Sequence, residues 1–141
     1  MILEKIRADL ILARKQTDAR LVGILRLLVS ALDYKKIETQ MNELSSDIEV
    51  GVLRSEAKKR REAGDIFEKA GDLIRKAQEE FELKIIESYL PVLMSEEEVG
   101  KIVKELAVET GKTGGQLIGM VMAKLKGKVD GSIVAKLVAK I

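Results

Sequence analysis

At 141 residues, with 46% hydrophobic side chains, the chain is long enough to bury a core and too apolar to be disordered. It has no Cys and no His, which excludes disulfides, structural zinc, thiol nucleophiles and imidazole-based triads together. The net charge is only +2, so the distribution of charge matters more than its sum.

A single Pro, few aromatics and abundant Leu, Ala, Lys and Glu predict an all-α protein. Leu3, Ile6, Leu10 and Ala13 recur at helical spacing and give a first amphipathic helix over residues 2–16. Glu4, Lys5 and Arg7 deny this end the form of a signal peptide. Thr17 or Asp18 caps a second helix reaching residue 38, whose broad face of Leu21, Ile24, Leu25, Leu28, Val29 and Leu32 predicts the most buried helix. The apolar run 21–32 contains Arg26 and falls short of the roughly 20 residues that span a bilayer. A soluble, cytoplasmic protein with no membrane partner is expected.

Residues 41–45 read as a loop. Ser46 or Asp47 caps a third helix, with Glu49 completing a capping-box pattern after Ser46. Ile48, Val52, Leu53 and Ala57 bury one side of it. Arg54, Lys58 and Arg61 line another, partly neutralised by Glu56 and Glu62. Gly64 either interrupts this helix or only weakens it, since an internal Gly costs about 1 kcal/mol. Ile66, Phe67, Ala70, Leu73, Ile74, Ala77, Phe81, Ile85, Ile86 and Tyr89 then keep helical periodicity, with Gly71 a second possible break. Pro91 ends the run, because the residue before Pro is pushed out of the helical region.

Pro91 is the expected domain boundary, dividing an N-terminal domain (1–91) of about four helices from a smaller three-helix domain (92–141). Residues 1–91 hold 17 basic and 17 acidic side chains. Residues 110–141 hold six Lys against Asp130 alone, a local excess that hints at a polyanionic partner. Ser95 and Glu98 form a capping box for a fifth helix, stopped by Gly111. Gly111-Lys112-Thr113 resembles the end of a P-loop, but the Gly required five residues earlier is Leu106 and the preceding segment is helical, so nucleotide binding is rejected. A sixth helix carries Leu117, Ile118, Val121, Met122 and Leu125. Gly127 suits its left-handed C-terminus, and Asp130 or Ser132 caps a seventh helix over 133–141.

The corner between these last two helices is the leading candidate site. Lys124, Lys126 and Lys128 cluster beside the turn residues Gly127, Asp130 and Gly131, with Lys112 upstream. Either this is a solvated inter-helix turn or it contacts phosphate. Lys58, Lys59 and Arg61 form a second basic candidate. Acidic residues are scattered, with no cluster shaped for a metal. No cofactor or catalytic residue is assigned.

Several motifs occur in the order found in the GatB/YqeY family. Arg26-Leu27-Leu28-Val29-Ser30-Ala31-Leu32 resembles its second-helix signature. Lys59-Arg60-Arg61 with Phe67 and Ala70-Gly71 resembles its basic third helix and the break after it. The segment from Glu82-Leu83 to Tyr89-Leu90-Pro91 resembles the helix leading to its junction. Gly119-Met120-Val121-Met122 and Lys126-Gly127-Lys128-Val129-Asp130-Gly131-Ser132 resemble its two C-terminal motifs, the last being the most specific. One departure is Asp72, where the family commonly places Arg. The resemblance implies a helical bundle followed by a smaller helical domain. It also implies a role like that of the tail of the B subunit of glutamyl/aspartyl-tRNA amidotransferase, which helps hold tRNA.

Such domains carry the label of a carbon–nitrogen ligase with glutamine as amide donor, but this chain has no recognisable catalytic site. The expectation is therefore a non-catalytic tRNA-binding protein. The alternatives are an adaptor for, or an accessory component of, an amidotransferase or an aminoacyl-tRNA synthetase.

Overall fold

The computed structural model describes residues 1–125 and 128–141. Among these residues the protein is all-helical: α1 (Ile2–Lys15), α2 (Ala19–Thr39), α3 (Ser46–Lys69), α4 (Leu73–Ser88), α5 (Glu96–Thr110), α6 (Gly114–Lys124) and α7 (Gly131–Ala139). The chain divides into two compact units, residues 1–90 and 91–141.

In the first unit α1 pairs with α2 and α3 pairs with α4, while α3 also touches α1 and α2. The core is built by Leu3, Ile6, Leu10 and Ala13 of α1 against Ile24, Leu25, Leu28 and Leu32 of α2. The four α2 residues are essentially sealed from solvent, as the broad apolar face predicts. Leu53, Ala57 and Ile86 complete this core from α3 and α4. Leu44, in the irregular segment before α3, is also buried and anchors that segment.

The caps show where local sequence decides geometry. Asp18, not Thr17, caps α2 by accepting from the Leu21 N–H. Thr17 instead closes the α1–α2 turn at φ +54°, an uncommon conformation for a β-branched residue. α3 begins one residue earlier than the spacing suggests: Ser45 is the cap, accepting from the Ile48 N–H, and Ser46 is already helical. The capping-box reading of Ser46 and Glu49 is therefore corrected. α3 runs unbroken through Gly64, which is buried where an added Cβ would meet the Glu79 Cβ at 3.9 Å. The break falls at Gly71, at φ +76°, and Asp72 caps α4 through the Arg75 N–H. The departure at Asp72 thus has a local structural use.

Part of one expected apolar face is not buried. Ile66, Leu73 and Ile74 continue the helical periodicity but stand 65%, 66% and 86% exposed, and Ile86 alone of α4 is fully buried. Phe81, Ile85 and Tyr89 of the same periodic run do pack on the core, and charge adds to the α3–α4 contact. Arg60 of α3 faces Glu79 and Glu82 of α4, with Glu56 of its own helix alongside.

The second unit is three helices around Val99, Val103, Leu106, Leu117, Val121, Leu125, Val129, Val134 and Val138, an aliphatic core without aromatics. Ser95 caps α5 through the Glu98 N–H, and Gly111 ends it at φ +69°. Asp130 caps α7, which begins at Gly131, two residues before the expected start. No helix among the described residues is long and apolar enough to cross a membrane.

Candidate nucleic-acid interface

α6 ends at Lys124, and Leu125 turns the chain, its N–H still donating to the Val121 carbonyl at 2.9 Å. Leu125 and Val129 are both buried, so they pin the two sides of the corner to the core. The backbone of Lys128 is held twice. Its N–H donates to Leu125 O at 2.9 Å and its carbonyl accepts from the Met94 N–H at 2.8 Å. That second bond ties the corner to the segment preceding α5. Lys126 and Gly127, a candidate contact and the expected helix stop, lie outside the described residues.

Asp130 accepts from both the backbone N–H and the hydroxyl of Ser132, at 2.9 and 2.8 Å. The positive pole of α7 is thereby occupied by a carboxylate of the chain itself. Anion binding at this corner must then come from lysines rather than from free helix N–H groups. Gly131 packs on Met122, whose Cε lies 3.6 Å from where a Cβ would stand, so this side of the corner is filled from beneath.

Lys124 and Lys128 are exposed, and neither forms an ion pair among the described residues. Lys124 also sits in the last turn of α6, where a cation complements the negative helix pole. Lys112 is exposed but precedes α6, whereas Lys124 ends it. At 1.5 Å per residue, an 11-residue helix puts about 16 Å between the two ends. The structure therefore separates Lys112 from Lys124.

The second basic candidate is neutralised on the surface. Lys58 lies 4.0 Å from Glu62, Lys59 lies 3.2 Å from Glu56, and Arg61 lies 3.8 Å from Glu87. Such exposed pairs contribute about 0–1 kcal/mol each, yet they cancel the field that would draw a polyanion. Arg60 is the inward member of this run, only 12% exposed. Its Nε approaches Glu82 at 3.2 Å and Glu79 at 3.8 Å without hydrogen-bond geometry, and its Nη1 lies 3.6 Å from Glu56. Burial and then the neighbouring Glu82 push the Glu79 carboxyl up, and the Arg60 guanidinium only partly opposes them.

Three features escape a reading along the chain. Glu49 is buried at 2% exposure, and its carboxylate accepts from the Leu3 N–H at 2.9 Å and the Ile2 N–H at 3.4 Å. It therefore caps α1 from 46 residues away. Tyr89 donates its hydroxyl to Asp9, which fastens the end of α4 to α1, and Lys5 lies 5.7 Å from its ring centre. Burial, then the Asp9 hydrogen bond and charge, push the Tyr89 hydroxyl well above its ordinary value. Lys101, Lys104 and Lys140 converge on one groove between α5 and α7. The i, i+3 spacing of the first two was visible in sequence; the third was not placed with them.

Among the described residues, no group of three or more Asp and Glu is arranged to hold a metal ion. A protein-family model described as Yqey-like protein matches residues 3–141. No curated protein matches the chain.

Proposed function

Because this chain belongs to the Yqey-like protein family, we propose that it is a non-catalytic tRNA-binding protein whose C-terminal corner contacts backbone phosphate. The same domain occurs as the tail of the amidotransferase B subunit, which supports an RNA partner. The observation that carries this reading is the contrast between two basic regions. Lys124 and Lys128 face solvent with no ion pair among the described residues, whereas Lys58, Lys59 and Arg61 are each matched by a carboxylate. A phosphate reaching Lys124 or Lys128 meets no paired carboxylate among the described residues; one reaching α3 must compete with glutamates. Lys126 lies between the two corner lysines in sequence and joins them in this proposal.

With two Phe, two Tyr and no Trp, the chain has few rings on which to stack unpaired bases. Recognition in this reading follows RNA shape and backbone rather than single-stranded sequence. Lys124→Glu with Lys128→Glu should lower tRNA affinity about tenfold or more, by replacing two phosphate contacts with two repulsions. Lys58→Gln, Lys59→Gln and Arg61→Gln together should change it by less than about threefold, their charges being matched already. The reverse order in a tRNA titration would move the site to α3.

A second reading, an adaptor for an amidotransferase or an aminoacyl-tRNA synthetase, is favoured by the exposed Leu73 and Ile74 at the start of α4. It predicts co-purification with a protein that survives nuclease and high salt, because apolar contacts are not screened.

A further inference from the structure

α5 and α7 pack together in the second unit. The Leu137 Cδ2 of α7 lies 3.9 Å from where a Cβ on Gly100 would stand, an ordinary contact distance, so Gly100 and Leu137 mark where the two helices meet. Beside this contact runs a groove of about 490 Å³, open to solvent. Its floor is apolar: Val103 is buried beneath it, Leu137 is half-buried, and Ile141 stands 58% exposed.

The charge around this floor is sorted by end. Glu96 and Glu97 lie where α5 begins, and Glu96 is already held by Lys136 at 3.4 Å. Lys101, Lys104 and Lys140 lie at the other end, exposed, and none of the three forms an ion pair among the described residues. Two of them come from α5 and one from just beyond α7, so the ammonium groups flank the groove from both walls.

A nucleic-acid backbone fits this arrangement poorly. Phosphodiesters remain hydrated and gain nothing from covering Leu137 and Ile141, whose burial is the groove's main source of free energy. A segment with apolar side chains on one face and carboxylates beside them matches both features at once, in the helix-in-groove manner. We propose that the α5–α7 groove docks a short acidic amphipathic segment of a partner protein, its apolar side chains over Gly100 and Leu137 and its carboxylates against Lys101, Lys104 and Lys140. This surface is independent of the lysine corner, and the proposal stands whether or not that corner binds tRNA. The small area predicts a weak, rapidly exchanging complex.

The test uses the full chain, isotopically labelled, and two designed helical peptides as probes. Both carry Leu at i, i+3, i+4 and i+7; one has Glu flanking the last Leu and its sister has Lys there. The Glu peptide should bind about tenfold or more tightly than the Lys peptide. Its amide shift changes should be confined to α5 and α7 around Gly100 and Leu137. Lys101→Glu, Lys104→Glu and Lys140→Glu, three exposed positions whose exchange leaves the core intact, should together reverse that preference. Equal binding of the two peptides, changes centred elsewhere, or no change at millimolar peptide overturns the proposal. So does tRNA perturbing these same amides when the peptides do not, which would make the groove a nucleic-acid surface.

Discussion

Glu49 is a carboxylate sealed inside a helical unit, and α1 depends on it. The first N–H groups of any helix lack intrahelical partners, and α1 has no side-chain cap of its own. Glu49 supplies the acceptor from α3, with its charge placed at the positive end of α1. Glu49→Ala should therefore cost about 2 kcal/mol in denaturant unfolding, because the buried Leu3 N–H and the part-buried Ile2 N–H lose their acceptor. Glu49→Gln, which keeps one acceptor oxygen, should cost about half as much. Equal stability of all three proteins would show that water replaces the carboxylate.

Tyr89 offers a separate test through pH. Its hydroxyl is pushed above the ordinary value near 10 by burial and by Asp9. A group whose folded value lies above its unfolded one stabilises the fold fully below the unfolded value. That stability is lost as pH climbs through the folded value. The protein should thus lose stability progressively above about pH 10. Tyr89→Phe should be about 1 kcal/mol less stable at neutral pH and should lack this alkaline component. Parallel stability curves for the two proteins above pH 10 would remove Tyr89 from the account.

At the scale of elements, α3 and α4 pair through both apolar residues of the shared core and a cluster of charge. Arg60 holds the charged part, as one guanidinium among Glu56, Glu79 and Glu82. Arg60→Ala should destabilise by about 2–3 kcal/mol at neutral pH, less than for a fully buried pair because all four groups keep some solvent. The loss should shrink as pH falls toward 4, since the Glu79 carboxyl is pushed up and its protonation removes one negative charge facing the guanidinium. A loss that stays constant between pH 7 and 4 would assign Arg60 to packing alone.

The same elements show what the sequence carries and what it does not. The caps Asp18, Ser95 and Gly111 and the buried stripes of α1, α2 and α5 are decided within a few residues, so spacing reveals them. Glu49, Arg60 and the Asp9–Tyr89 bond join positions distant along the chain, where no periodicity connects the partners. Leu73 and Ile74 satisfy the helical pattern and still face solvent, because an apolar residue at the right spacing needs a neighbouring surface to bury against. The lysine corner was legible as charge density. That Glu56 and Glu62 neutralise the α3 lysines was legible from their spacing; that Lys112 stands a helix length from Lys124, and that Glu87 of α4 matches Arg61, required the fold.

At the scale of the molecule, two units with separate aliphatic cores divide the basic surface unequally. The first has equal numbers of positive and negative side chains through Pro91 and binds many of its cations internally. The second presents Lys124 and Lys128 exposed and without an ion pair among the described residues, and that imbalance is the basis of the RNA reading. The most direct test is binding of the purified chain to tRNA across a salt series, beside duplex DNA of equal length. The account predicts tighter binding to tRNA and a linear fall of log K with log salt, with a slope of about −2 to −4. Lys124→Glu with Lys128→Glu should make that slope shallower by about 1.4–1.8, the loss of two phosphate contacts. No binding at low salt, or a slope unchanged by the double substitution, would contradict the account.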